Sequence, residues 1–334
     1  MTEEELKNKH YKLCIVDADS IVYKSAASAN EVEYTLLNGE GNIEGVFKSA
    51  KAYKDHQKDV ASFLGIDTEE WTVTKQESTK PVEHCYKVLE TLMNRIRKAV
   101  KADKHIFYVG TNDFIRSDVA TIVKYKGNRD SMVKPIHLDA VKKHIRSLPD
   151  VRLVDNGFET DDIVSCLAYK AFHKYHPDYQ VVLSSIDKDL KNTCSVHYNF
   201  DTEEWCVITP EEADYNFALQ ALTGDVTDNI KGLPNVSDEF RDKYKLPKRS
   251  GVGKATADAI LQDLKGQSLQ TLYNRVLEAY KSFYPDPYEY TSWDGKQLIG
   301  TPESILDENS SLLFMMRSKD EMWKQYKERT FTND

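Results

Sequence analysis

Five short apolar runs punctuate the first two-thirds of the chain: KLCIVDAD (12–19), HIFYVGTND (105–113), VRLVDN (151–156), YQVVLSSID (179–187) and SVHYNF (195–200). They are brief and rich in β-branched residues, and so predict buried strands. Between them the period changes. Residues 82–102 and 161–176 repeat apolar positions at i, i+3 and i+4, as in Ile163, Val164, Leu167, Ala168, Ala171 and Phe172, which predicts helices with one buried face. Strands alternating with helices predict an α/β fold whose mainly parallel sheet is flanked by helices. In such sheets functional groups gather beyond the carboxyl ends of the strands.

Carboxylates stand at those ends. The first run stops at Asp17 and Asp19, the second at Asp113 and the fourth at Asp187 and Asp189, while GFETDD opens a helix with Glu159, Asp161 and Asp162. Singly, each has an ordinary explanation, as a turn former or as an acid at the positive end of a helix with Thr160 as cap. Together, acids converging on one sheet edge repel one another unless cations lie among them. Hard divalent ions with oxygen ligands fit, and the scarcity of nearby His and Cys disfavours zinc. Two Mg2+ or Mn2+ ions in such a ring would clamp the attacking and leaving oxygens of an in-line phosphoryl displacement. LTGDVTDNIKGLPN (222–235) adds Asp225 and Asp228, three apart and expected to face the same way on a helical turn.

Charge sharpens the picture. The net charge of −9 argues at first against a nucleic-acid partner. However, residues 116–146 carry eight Lys or Arg against three Asp, and residues 241–254 carry six against one, which points to local anion contacts or to two solvated surface runs. The second run leads into SGVGKATADAILQ (250–262), where a glycine turn entering a helix offers backbone N–H groups to a phosphate. It is not a P-loop, because Ala255 stands where Ser or Thr is needed.

With 334 residues, the chain has room for one large domain with an appendage, or for two. Five cysteines without a CxxC pair suggest neither zinc nor disulfides and a reducing cytosol. An acidic N-terminus and the lack of a run near twenty apolar residues lead us to expect a protein that is neither exported nor membrane-embedded.

Taken in order, IVDAD, YKGNRD (125–130), ETDD, SSIDKDL, GDVTDN and GVGKATA resemble the bacteriophage and bacterial 5′ to 3′ exonucleases and flap endonucleases, whose catalytic domain is PIN-like. The resemblance runs from about residue 11 to residue 265, and ENSSLLFMMRS (308–318) is similar to a late helix that phage members fold back onto the body. It implies a PIN-like nuclease domain over 1–208, with 31–80 inserted, and a helix-hairpin-helix (helix-three-turn-helix) DNA-binding region with C-terminal helices over 209–334. Metal ligands, direct or through water, are implied at Asp17, Asp113 (or its neighbour Asp118), Glu159, Asp161, Asp162, Asp187, Asp189, Asp225 and Asp228. Lys126 would stabilise charge on the scissile phosphate with help from Arg129, and Tyr125 would stack on a base. Lys248, Arg249, Gly251, Gly253 and Lys254 would meet duplex phosphates, around a K+ ion bound by backbone carbonyls.

The implied substrate is DNA with 5′ ends, flaps or nicks, extending to RNA/DNA hybrids. The implied partners are single-strand-binding or replication proteins, and the implied place is the cytoplasm, that of a bacterial host for a phage protein. Three departures stand out. Tyr125 and Asp161 lie only 36 positions apart, so the helical arch that threads free 5′ ends in larger members would be short or open. IKGLPNVSDEFRDKYKLPKRS (230–250) separates GDVTDN from the hairpin glycines and either extends the duplex grip or blocks the K+ site. Residues 31–80, including the hairpin-like VEYTLLNGEGNIEGVF, exceed what the first strand-to-helix connection needs. A PIN-type ribonuclease, a non-catalytic DNA-binding replication module and a small-molecule phosphatase are the competing readings.

Overall fold

A computed structural model describes residues 1–111, 116–154, 157–247 and 251–331. In chain order, the first half contains α1 (Glu3–Asn8), β1 (Leu13–Asp17), α2 (Asp19–Ala27), β2 (Asn30–Leu37), β3 (Ile43–Phe47), α3 (Ala50–Leu64), β4 (Thr72–Thr79), α4 (Val82–Ala99), β5 (His105–Gly110), α5 (Arg116–Val119), α6 (Leu138–Arg146) and β6 (Val151–Val154). The second contains α7 (Thr160–Tyr175), β7 (Val181–Ser184), β8 (Ser195–Tyr198), β9 (Trp205–Ile208), α8 (Pro210–Thr223), β10 (Gly224–Asp225), β11 (Ile230–Lys231), α9 (Asp238–Lys243), α10 (Lys254–Leu261), α11 (Leu269–Phe283), β12 (Tyr288–Thr291), β13 (Gln297–Gly300), α12 (Pro302–Leu313) and α13 (Trp323–Thr330). The chain divides into two compact units, one of Met1–Ser20, Arg95–Met132 and Pro149–Asp334, the other of Ile21–Asn94 and Val133–Leu148.

The first unit is built on a six-stranded sheet of order β6-β5-β1-β7-β8-β9. Its first five strands are parallel, and only β9, which hairpins back on β8, is antiparallel. The expected mainly parallel α/β sheet flanked by helices is therefore present, and all five sequence runs are strands. The central strand β1 is buried along Cys14 to Asp17, as expected for a strand covered on both faces. α7 lies against β1, β5, β7 and β8, burying Val164 and Ala168 on Ile15 and Leu183. A larger core joins α8, α10, α11 and α12 through Phe217, Leu222, Ile260, Leu272, Val276 and Leu306, each contributing about 1.5–3 kcal/mol by leaving water. α8 starts with a Thr209–Glu212 capping box and Pro210 in its first turn.

In the second unit, residues 30–79 form an antiparallel sheet of order β3-β2-β4. α3 packs on it through Tyr53 against Tyr34 and His56 against Phe47. Every β4 residue is exposed, and α3 buries none of its own.

Candidate active site

The sheet brings the acids together because parallel strands end on the same side. Asp17 closes β1, and its neighbour β7 runs through Ser184 into the Asp187 and Asp189 turn. Asp161 lies in the first turn of α7. Asp17 accepts from the Ser185 hydroxyl at 2.9 Å and from the Asp19 N–H at 3.2 Å, and the Ser185 hydroxyl oxygen accepts from the Asp187 N–H at 3.0 Å. Asp19 ties the ends of two further elements: its carboxylate accepts from the Gly110 N–H at 3.0 Å and from the Thr160 hydroxyl at 2.6 Å. A side chain at Gly110 would meet both partners, at 2.9 and 3.0 Å, so the small residue allows β5 and α7 to close on Asp19.

Crowding of charge is the site's main physical property. Burial first, then Asp19 and Asp187, push the Asp17 carboxyl up to about 7. Asp161 is held well above the usual carboxylate range by burial and by Asp17 and Asp187, and burial also raises Asp187. Asp189 is pushed up to about 7 by burial, Asp187 and Asp225. None of these four acids makes a direct ion pair among the described residues.

The surrounding acids behave differently because cations reach them. Glu159 is buried, yet Arg116 and Lys126 outweigh that burial and hold it below its usual range. It accepts from Arg116 at 2.9 Å, from the Tyr125 hydroxyl at 2.8 Å and from Lys126. Asp225 is also held low, because Lys188 at 2.8 Å and two backbone N–H groups overcome its burial. Asp228 pairs with Arg129 and lies 3.6 Å from Lys126. Among the described residues no three His, Cys, Asp or Glu side chains converge tightly enough to hold a metal ion in these positions. The donor chemistry nevertheless suits a hard divalent ion: the four unpaired acids offer only oxygen, and their mutual repulsion is what such an ion would relieve.

Residues 60–217 match the family model described as 5'-3' exonuclease, N-terminal resolvase-like domain. Over those residues the chain is similar to the 5′–3′ exonuclease family. The 5'-3' exonuclease of Buchnera aphidicola subsp. Schizaphis graminum is 29% identical over 163 residues, 45% of this chain and 55% of that protein. DNA polymerase I of Mycobacterium leprae is 27% identical over 228 residues, 63% of this chain and 24% of that protein. The chain thus spans about half of one relative and a quarter of the other. Among solved structures, the T5 D15 protein co-crystallized with metal ions aligns with a TM-score of 0.40 at 14% identity, covering 91% of this chain and 98% of that one.

Several side chains stand elsewhere than the sequence suggests. Both Asp162 oxygens bind the buried Arg116 guanidinium, at 2.6 and 2.7 Å, and Arg116 also donates to the Phe314 carbonyl at 2.7 Å. Asp162 is therefore an anchor for a buried cation, and Arg116 is withdrawn from the first basic segment. Tyr125 does not present its ring for stacking: it is buried in the helical core, and its hydroxyl donates to Glu159 and, at 3.0 Å, to Asp228. Asp225 and Asp228 lie not on a helical turn but on the small β10–β11 hairpin. Its foot requires glycine on both strands, since a Cβ at Gly224 would fall 2.2 Å from the Gly232 nitrogen and one at Gly232 would fall 2.3 Å from the Thr223 carbonyl carbon. The two glycines framing the acids are thus explained by backbone packing.

Lys126 and Arg129 do gather at the acids, Lys126 as the N-cap and Arg129 as the last residue of a short 3-10 turn at Gly127–Arg129. Lys254 is exposed at the start of α10, with Gly253 as its N-cap and Gly251 at φ +84°. In the second basic segment, Arg241 is buried on the Pro247 carbonyl at 2.9 Å and on Asn235, and Lys243 pairs with Glu278. These two charges serve the fold. Asp113, Lys248 and Arg249 lie outside the described residues.

Sequence reasoning missed Gln220. From the last turn of α8 its amide nitrogen donates to Asp189 at 2.7 Å and to Asp225 at 3.1 Å, while its oxygen accepts from Asn192 at 2.6 Å. That contact fixes which end of the amide faces the acids. A lone glutamine late in a helix carries no signal of such a role.

Proposed function

We propose that this chain is a metal-dependent nuclease that hydrolyses DNA phosphodiesters near 5′ ends or at junctions of single strand and duplex. The observation that carries the reading is the unpaired, mutually destabilised set Asp17, Asp161, Asp187 and Asp189. These four would hold Mg2+ or Mn2+, and Glu159, Asp225 and Asp228 would join them when their cationic partners turn to the substrate. Asp162 stays with Arg116. When bound, the ions supply an activated water and polarise the phosphodiester.

The protein's own groups do the rest. Lys126, resting on Glu159 beside Asp228, is placed to neutralise charge developing on the phosphate. Arg129 is half exposed and bonded to Asp228, so it can exchange that partner for a phosphate oxygen in bidentate fashion. Tyr125, Arg116 and Gln220 hold carboxylates in place and touch no substrate. Water adds to phosphorus and the P–O3′ bond breaks, leaving a 5′-phosphate and a 3′-hydroxyl. The start of α10, with its exposed Lys254 and free glycine backbone, would grip duplex phosphates without reading sequence, and a K+ ion there accords with this reading. Removal of flaps or primers during replication, by a phage or its host, is the setting that fits such an activity.

The test is cleavage of 5′-labelled flap, nicked, blunt and RNA substrates, with and without Mg2+. Mg2+-dependent cutting of DNA flaps or ends by the wild type, abolished by Asp187→Asn with Asp189→Asn, is expected. Undiminished cutting by that variant overturns the assignment, and preference for single-stranded RNA favours a PIN-type ribonuclease.

A further inference from the structure

Away from the acidic cluster, a cavity of about 260 Å3 opens between Lys7, Arg95, Lys98, Tyr198, Glu203 and Trp205. We propose that it is a second, anion-binding site that takes the phosphate group of a nucleotide. Three cations face one carboxylate there. Arg95 and Lys98 stand three apart on α4 and so share a face, and Lys7 joins them from the last turn of α1.

An ordinary solvated surface does not account for this arrangement. Arg97, on the same helix, is paired with Asp150, whereas Lys7, Arg95 and Lys98 make no ion pair among the described residues. The Arg95 Nε is shut off from solvent and has no hydrogen-bond partner. Buried donors of this kind are nearly always satisfied, and a turn of the Arg95 guanidinium into the cavity would bring this one to a ligand oxygen.

The walls are already built. Trp205 stacks on Tyr11 with ring centroids 6.0 Å apart and meets Tyr198 at 4.7 Å. The Tyr11 hydroxyl is fixed on the Leu6 carbonyl at 2.7 Å. The β8–β9 turn that presents Glu203 is held by Asn199, whose side-chain oxygen accepts from the Asp201 and Thr202 N–H groups at 2.9 and 3.2 Å. A rigid site loses little entropy on binding. Three positive charges suit a phosphate better than a single carboxylate. Glu203 can accept from a sugar hydroxyl, and the aromatic wall suits the apolar edge of the same molecule. The volume holds a phosphate with its sugar rather than a long stretch of strand. Such a phosphate could come from a free nucleotide or from a strand crossing the surface, and the inference is independent of whether the acidic cluster is a nuclease centre.

Calorimetric titration of the full chain in EDTA with inorganic phosphate, dTMP and a 5′-phosphorylated single-stranded octamer tests this. Lys7→Gln with Lys98→Gln changes only exposed side chains, and Arg95→Gln is the second variant. At least tenfold weaker dTMP and phosphate binding in both variants is expected. If a strand is the natural source, the salt dependence of octamer binding also falls by about 1.4 in log–log slope for the two lysines; an unchanged slope with weakened dTMP binding identifies the free nucleotide. Binding of all three probes at wild-type strength by both variants overturns the proposal.

Discussion

Replacing Asp17 with Asn probes the electrostatic basis of the acidic cluster. The Asp17 carboxyl is pushed up to about 7, by burial first and then by Asp19 and Asp187, from about 3.9 in an unfolded chain. A carboxyl with the higher pKa in the folded state binds more protons there. Its contribution therefore favours folding in acid and is lost as the pH rises from about 4 to about 7. Three pKa units amount to about 4 kcal/mol, the cost of keeping Asp17 ionised in metal-free protein at pH 8. Asparagine keeps an oxygen for the Asp19 N–H but loses the charge-assisted bond from Ser185, about 1 kcal/mol. In EDTA, Asp17→Asn should thus gain about 3 kcal/mol at pH 8 and lose about 1 kcal/mol near pH 4, measured by urea unfolding against wild type at each pH. The difference between proteins matters, because buried His197 has its pKa pushed down to about 4 and opposes Asp17 over the same range. Saturating Mg2+ should stabilise the wild type and reverse the order at pH 8. A metal-free Asp17→Asn protein that is less stable than wild type at pH 8 would refute the reasoning, since Asp17 would then gain from its charge.

Other expectations follow from neighbouring groups. Gln220→Ala removes the amide shared by Asp189 and Asp225 and should weaken Mg2+ affinity by about 10- to 100-fold; unchanged affinity by calorimetry would assign Gln220 to packing alone. Arg116→Met strands Asp162 in the interior and leaves Glu159 with Lys126 as its only cation, and should cost about 3–5 kcal/mol in urea unfolding, a loss under about 1 kcal/mol contradicting the anchor role. His197 has its folded pKa below the unfolded value, so it contributes stability that is lost as pH falls from about 6.5 towards 4, about 3 kcal/mol in all. His197→Gln should flatten that acid limb, and an unaltered limb would place its origin elsewhere.

Sequence alone determined the periodic features of this protein. Alternation and helical spacing are local, so the five strands, the helices of residues 82–99 and 160–175 and the parallel sheet were legible, as was the gathering of Asp17, Asp161, Asp187 and Asp189 at one edge. Tertiary structure decided which charges are spent on each other. Arg116 and Asp162 are 46 residues apart, and Gln220 lies 31 beyond Asp189; nothing in their local pattern marks them as partners. The same holds for Tyr125, whose motif suggests an exposed ring but whose ring is buried in a core assembled from distant helices. A residue's type and spacing fix what it can do chemically, whereas burial and the nearest opposite charge, set by contacts between segments far apart in the chain, fix whether it does so as ligand, anchor or free cation.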